Sequence, residues 1–401
     1  MSYWIAKGNR HLKLQELHET YGPWLRIGPN ELSIDNPAAM RPLYSQIFRS
    51  RFYQGVPQDA DALITTNDPA EHASRLIAWN KAFSTENLKN YRAQAKVRTA
   101  QLLDILKVTS KDKTALPLSH WISLWGIDVM GDMSFSGGFE TMSARKDTEG
   151  WTEVLHMGTL FIGVLGQVPW MRDILALAPS PGPILTFQQF AGKKVEETSR
   201  KNAGMRQDIL SIIQDESSGG PKLSKFQAAA DASFIVLAAS DTVSEALVAL
   251  MRYLTGHREI QKTLRMELTN TFDGPFEDMD DFTLSKLPYL DACVQETLHV
   301  IPPVVAARNL ADPDSFRLEG WLNGGIGGRH NTDAYVPFCY GPGVCLGKPV
   351  ALYNMKYVRS MLPTMSFDLS FPDIFDVNNF DASYKEHNLW VHGFMAISWW
   401  N

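Results

Sequence analysis

Cysteine is scarce in this chain of 401 residues, with only Cys293, Cys339 and Cys345 present. An odd number builds no disulfide framework and no spacing gives the paired C-x-x-C of a zinc site, so a reducing compartment fits best. No long run of lysine and arginine occurs and the net charge is −6, which argues against nucleic acid as a partner. The glycine fingerprints of flavin and dinucleotide sites are missing, as are internal repeats and low-complexity blocks. Residues 1–21 carry Lys7, Arg10, His11, Lys13 and Glu16 and hold no apolar stretch of signal-peptide or membrane-anchor length.

What is present can bury a large core, since 44% of the residues are hydrophobic. Helical spacing of apolar residues runs through 70–106, 121–133, 187–214, 225–255 and 258–272. Residues 154–171 lack Asp, Glu, Lys and Arg and read as a buried or surface-dipping helix. Strand signals are few: residues 24–34 alternate around a Gly28-Pro29-Asn30 turn, and 389–399 offers a second stretch. The expectation is a mainly α fold with a small β region, because strands and helices do not alternate as a doubly wound sheet requires.

The most informative segment is Phe338-Cys339-Tyr340-Gly341-Pro342-Gly343-Val344-Cys345-Leu346-Gly347-Lys348. Glycines such as Gly341 and Gly347 permit close backbone approaches, so this loop can lie against a flat ligand. Pro349 follows as a first-turn proline, and Leu346, Val350, Tyr353, Tyr357 and Met361 continue at helical spacing. Cys345 is therefore expected at a helix N-terminus, where peptide dipoles favour a thiolate. On the loop alone two readings stand: a metal-ligating thiolate, or a buried and inert cysteine.

The Phe-x-x-Gly-x-x-x-Cys-x-Gly run resembles the haem-binding loop of cytochromes P-450. The resemblance implies a P-450-like helical fold, haem b (iron protoporphyrin IX) as cofactor, Cys345 as the axial iron ligand and Phe338 packed beside it. Gly343 stands where the family usually has a basic residue that holds a haem propionate. Upstream, residues 234–242 read FIVLAASDT. Taken alone, Thr242 back-bonds to a carbonyl one turn earlier and Asp241 reaches solvent. The run also resembles the family's oxygen-activation motif, which implies that Thr242 hydrogen-bonds oxygen at the haem while Asp241 helps deliver protons. Ala239 replaces the usual glycine.

Glu296-Thr297-Leu298-His299 resembles the family's Glu-x-x-Arg helix, with His299 in place of arginine and Gly320 where the third network partner is expected. Asp241 to Glu296 is 55 residues, as in the family, but Glu296 to Cys345 is only 49, so a deletion is expected between about 308 and 312. Arg308 matches a propionate-binding arginine, with a surface arginine as the alternative. Glu71-His72 to Ser84 resembles the helix crossing the propionate edge. It implies contacts from His72 and Trp79, while Trp79 as plain core is the rival, and Leu76 fills a usually basic position. Residues 128–139 and 166–190 resemble fungal members.

Because the resemblance spans nearly the whole chain, residues 1–401 read as one domain. It implies a monooxygenase of secondary metabolism that inserts one oxygen atom from O2 into a small apolar organic substrate. Electrons would come from a separate NADPH-dependent cytochrome reductase, with Lys81, Lys348, Lys356 and Arg359 as its basic docking face. The family location is the cytosolic face of the endoplasmic reticulum membrane; the chain as written, without a leading anchor, is expected in the cytoplasm or in peripheral membrane contact. Two rivals stand beside this: a non-catalytic or truncated relative with impaired haem binding, and a haem enzyme doing isomerase or dehydratase chemistry.

Overall fold

The computed structural model describes residues 2–362 and 397–398, save 8, 29–30, 47–50, 55–59, 110–117, 148, 169, 176, 178–181, 201–207, 275–277, 304–315, 317, 320 and 323–334. Arg308, Gly320 and the expected deletion thus lie outside the described residues.

Apolar periodicity becomes helix almost wherever it occurs. A helix at Pro69–Ala82 is followed, after a break at Phe83 and Ser84, by Thr85–Thr109. Aspartate at its start caps the first, Asp68 accepting from the Ala70 N–H at 2.8 Å, and proline fills the first position. Leu118–Phe135, Trp151–Gly166, Gly182–Arg200, Ile209–Gln214, Arg258–Thr271, Pro288–Val300 and Lys348–Met361 complete the main set around the 32-residue helix Lys225–Gly256. A capping box starts that central helix: Ser224 accepts from the Gln227 N–H and the Gln227 amide oxygen accepts from the Ser224 N–H. By length and composition it could cross a membrane, yet most of its apolar window is buried inside the fold.

The β region is small. Trp24–Gly28 (β1) and Glu31–Ile34 (β2) pair antiparallel, and Ile397–Ser398 (β3) adds to the far edge of β2. The rest of the expected tail strand falls outside the described residues.

Close approach between helices is set by small residues. A Cβ on Gly126, in the Leu118–Phe135 helix, would lie 2.1 Å from Ser244 Oγ and 2.8 Å from the Ser240 carbonyl oxygen, so glycine is what lets this helix settle on the central one. Ser244 then donates to the Ile122 carbonyl at 3.2 Å. A buried ion pair ties the central helix to the Pro69–Ala82 helix, with Arg75 Nη2 2.8 Å from Asp231 Oδ2 and the Leu63 N–H 2.6 Å from Asp231 Oδ1. The Pro288–Val300 helix has no side-chain cap of its own; Glu267 from Arg258–Thr271 caps it instead, accepting from the Tyr289 and Leu290 N–H groups at 2.7 and 2.8 Å.

Candidate haem site

The cysteine loop folds back on itself before it enters a helix. Cys339 takes a left-handed conformation (φ 58°), the Cys345 N–H donates to the Phe338 carbonyl at 2.9 Å, and Val344 N–H reaches the Gly341 carbonyl at 3.1 Å. Gly341 is held at φ +66° with its Cα against the Tyr44 carbonyl, where a Cβ would come within 2.6 Å. Glycine is required there on both counts. Through this contact the loop rests on the Pro37–Gln46 helix, where Met40, Tyr44 and Val336 form a small apolar cluster.

Helix Lys348–Met361 starts three residues after Cys345, so the thiol lies just ahead of the helix rather than within its first turn. Backbone N–H groups of Gly347 and Lys348 hydrogen-bond the sulfur, and the Lys348 charge also favours the thiolate, while burial is the larger influence and pushes the thiol's pKa up. The Lys348 ammonium sits 5.7 Å from the centre of the Phe338 ring. Although protein encloses the sulfur enough to desolvate it, Cys345 keeps open surface. A bound metal would supply the positive charge that converts such a thiol to thiolate.

The central helix also keeps open positions. Ser233, Phe234, Leu237, Ala238, Ala239, Asp241, Thr242 and Glu245 keep surface, while Ile235, Val236, Ser240, Val243 and Ser244 are buried. Phe234, Leu237, Ala238, Asp241, Thr242 and Glu245 recur every three to four residues as a stripe, apolar at its start and polar at its end. The central helix packs on Lys348–Met361, the helix that carries the cysteine loop. Thr242 donates to the Ala238 carbonyl at 2.7 Å, the local back-bond that its sequence context allows. Ser240 does the same to Val236 on the opposite, buried side.

Glu245, not singled out from the sequence, lies one turn beyond Asp241 on the same stripe. Burial and the neighbouring Asp241 carboxylate both raise its pKa well above the ordinary glutamate range. The signal for it was present in the sequence: a second carboxylate in an apolar helix, four residues after Asp241.

His72 and Trp79 lie buried on the Pro69–Ala82 helix. The Trp79 indole faces the Asp231 carboxylate, which pairs with Arg75 and precedes Asp241 by about 15 Å of helix. Glu296 is 2% exposed and accepts from His299 Nδ1 at 2.9 Å. Its second donor is Trp321, whose Nε1–H reaches Glu296 Oε2 at 2.7 Å, a partner without any motif to announce it. Of the four residues expected on a docking face, Lys81 and Lys348 are exposed. Lys356 is committed to Asp291 at 2.6 Å, and Arg359 is buried, its pKa lowered to about 10 by desolvation, so it belongs to the interior.

These residues fit a haem at the loop. Among the described residues no group of three or more His, Cys, Asp or Glu converges as a bare metal site needs. Cys345, a soft donor with two N–H groups on its sulfur, would be the residue that holds the iron of a haem. A Cβ on Gly343 would meet nothing within 4 Å, leaving that flank of the loop open.

Comparison with known proteins agrees with this chemistry. The Cytochrome P450 family model matches residues 2–311 and 309–373, two segments that meet at 309–311. "Cytochrome P450 67" of Uromyces fabae is 25% identical over 442 aligned positions, covering 96% of this chain and 80% of that protein. "Cytochrome P450 monooxygenase FCK2" of Fusarium pseudograminearum is 28% identical, covering 89% and 71%. "Tryprostatin B 6-hydroxylase" of Aspergillus fumigatus is 27% identical, covering 98% and 76%. With its mainly α architecture and the match along most of its length, the chain belongs to the cytochrome P450 family and resembles fungal monooxygenases within it.

Proposed function

We propose that this chain is a haem b monooxygenase that inserts one oxygen atom from O2 into a small, largely apolar organic substrate, with electrons from a separate NADPH-dependent reductase. Support comes above all from Cys345: an enclosed sulfur that keeps open surface, receives two backbone N–H groups and follows a loop shaped by Gly341. Haem, when bound there, supplies the activation of dioxygen.

The chain's own residues would hold the group and handle substrate and protons. Cys345 would be the sulfur ligand, with Phe338, Gly341 and Gly347 shaping its loop. Phe234, Leu237 and Ala238 offer the substrate an apolar wall. The Thr242 hydroxyl hydrogen is committed to Ala238, so the oxygen would act toward a bound ligand as an acceptor. Glu245, its pKa raised by burial and by Asp241 one turn before it, would hold a proton and pass it along the stripe. His72 and Trp79 are proposed at the propionate edge, with Arg308 from outside the described residues. A hydroxylase among the relatives supports oxygen insertion as the reaction type.

A second reading, a relative with weakened haem binding, draws on Gly343 and Leu76 at two positions that are usually basic. It also draws on the two family-model segments meeting at 309–311, and on an alignment of 442 positions to a chain of 401 residues, which skips stretches the relative carries. One experiment separates the two: haem stoichiometry and the reduced carbon monoxide spectrum of purified protein. Stoichiometric haem with a thiolate-type Soret band, abolished by Cys345→Ser, is expected; substoichiometric haem favours the second reading, and a band that survives Cys345→Ser sinks the first.

A further inference from the structure

Glu296 is a carboxylate in the interior, and a charge there persists only if donors replace its water. Two of its donors are His299, at 2.9 Å through Nδ1, and Trp321, at 2.7 Å through Nε1. A hydrogen bond to an ionised acceptor is roughly twice as strong as a neutral one, so the indole contact is worth more than ring packing alone.

The Trp321 ring does not stop at the carboxylate. It packs on Tyr335 with centroids 4.8 Å apart and on His299 at 6.3 Å. The Tyr335 hydroxyl in turn donates to Gln295, at 2.7 Å to the side-chain oxygen and 3.2 Å to the backbone carbonyl. Burial holds this phenol firmly protonated, so it remains a donor throughout the physiological range. Gln295 and Glu296 are consecutive on the Pro288–Val300 helix. One helical turn therefore grips the chain at two places, residue 321 and residue 335.

Tyr335 stands three residues before Phe338, whose carbonyl takes the Cys345 N–H at 2.9 Å. The path from Glu296 to the sulfur is thus short and continuous: carboxylate, indole, phenol, the Val336-Pro337 link, then the loop hydrogen bond. Residues 321 and 335 are thus both fixed to the same helix.

We propose that Trp321 and Tyr335 are positioning residues for the cysteine loop, an aromatic clamp on Gln295 and Glu296. The clamp acts on Cys345 through backbone placement and touches neither substrate nor cofactor. It rests on the haem reading above only for its consequence; the placement of the loop is a property of the protein chain itself.

Full-length Trp321→Phe keeps a ring and loses the N–H, and Tyr335→Phe loses only the hydroxyl. Each is compared with wild type for circular dichroism, for haem transfer to excess apomyoglobin, and, in the haem-free protein, for the alkylation rate of Cys345 followed by mass spectrometry. With helicity unchanged, each variant is expected to lose haem at least about tenfold faster, about 1.4 kcal/mol, and to alkylate Cys345 several-fold faster. Trp321→Arg, which restores a donor to Glu296, is expected to return both rates toward wild type. Wild-type rates in both phenylalanine variants, or Trp321→Arg behaving no better than Trp321→Phe, would overturn the clamp. Should Trp321→Phe fail to fold, the rates of Tyr335→Phe decide in its place. A wild type without a thiolate-type Soret band would overturn the haem reading and leave the alkylation comparison to decide the clamp.

Discussion

Thr242 Oγ1 donates to the Ala238 carbonyl one turn back, at 2.7 Å, on the open stripe of the central helix. The hydroxyl's hydrogen is used inside the helix, which leaves its lone pairs to accept. Thr242→Ser keeps this geometry, whereas Thr242→Ala removes it. The alanine variant is expected to bind haem as wild type does and to form several-fold less product per reducing equivalent consumed, with serine close to wild type. Measured product-to-NADPH ratios decide; equal ratios in all three would remove Thr242 from the chemistry.

Glu245 should leave a mark on the pH dependence of stability. Its folded pKa lies above the ordinary glutamate value because of burial and Asp241. The folded state therefore holds a proton that the unfolded state releases first, and stability is fullest below the unfolded pKa and declines as pH rises through the folded one. Glu245→Gln is uncharged at every pH, so it should gain stability over wild type at pH 8 and gain least near pH 4. Urea unfolding at both values tests this, and an equal difference at the two would contradict it.

Gly126 marks the closest crossing of two helices. A methyl group there meets Ser244 Oγ and the Ser240 carbonyl, one of them backbone. Gly126→Ala is expected to cost about 1–3 kcal/mol as overpacking, despite alanine's better helix propensity. Pairing it with Ser244→Ala should recover only part of the loss, since the Ser240 carbonyl remains; thermal or urea denaturation gives both numbers.

Arg75 and Asp231 form a buried ion pair 156 residues apart in sequence. Removing one partner leaves a charge without its mate, and Asp231→Ala is expected to cost about 3–5 kcal/mol. Because the pair also fixes the Leu63 N–H and sets the Pro69–Ala82 helix on the central one, the double variant Arg75→Met/Asp231→Leu should lose less than Asp231→Ala alone. A double variant that is the less stable of the two would show that the pair is net stabilising.

Much of the helical framework was legible from residue spacing. The stretches 121–133, 225–255 and 258–272 became Leu118–Phe135, Lys225–Gly256 and Arg258–Thr271, and the 24–34 hairpin became β1 and β2. The 70–106 stretch divided. Apolar spacing continues through its middle, but the Phe83 N–H turns back to Trp79 while Ser84 receives the Leu88 N–H on its carbonyl, ending one helix and starting another. Ser84 stands at the start of the second helix, its hydroxyl oxygen accepting from the Asn87 N–H. Arg359 was expected on a docking face by resemblance alone, and only packing reveals that it turns inward beside Cys293.

Local chemistry fixed what lies close in the chain: helices by their apolar period, the cysteine loop by its glycines, the Thr242 back-bond by a span of four residues. These need only near neighbours, so they can be read in order. Which carboxylate Trp321 would find, which helix Gly126 would touch, and which stripe of the central helix would stay open depend on surfaces brought together across tens to hundreds of residues. Burial alone then decides which polar groups must find partners, and those partners are chosen by space rather than by sequence.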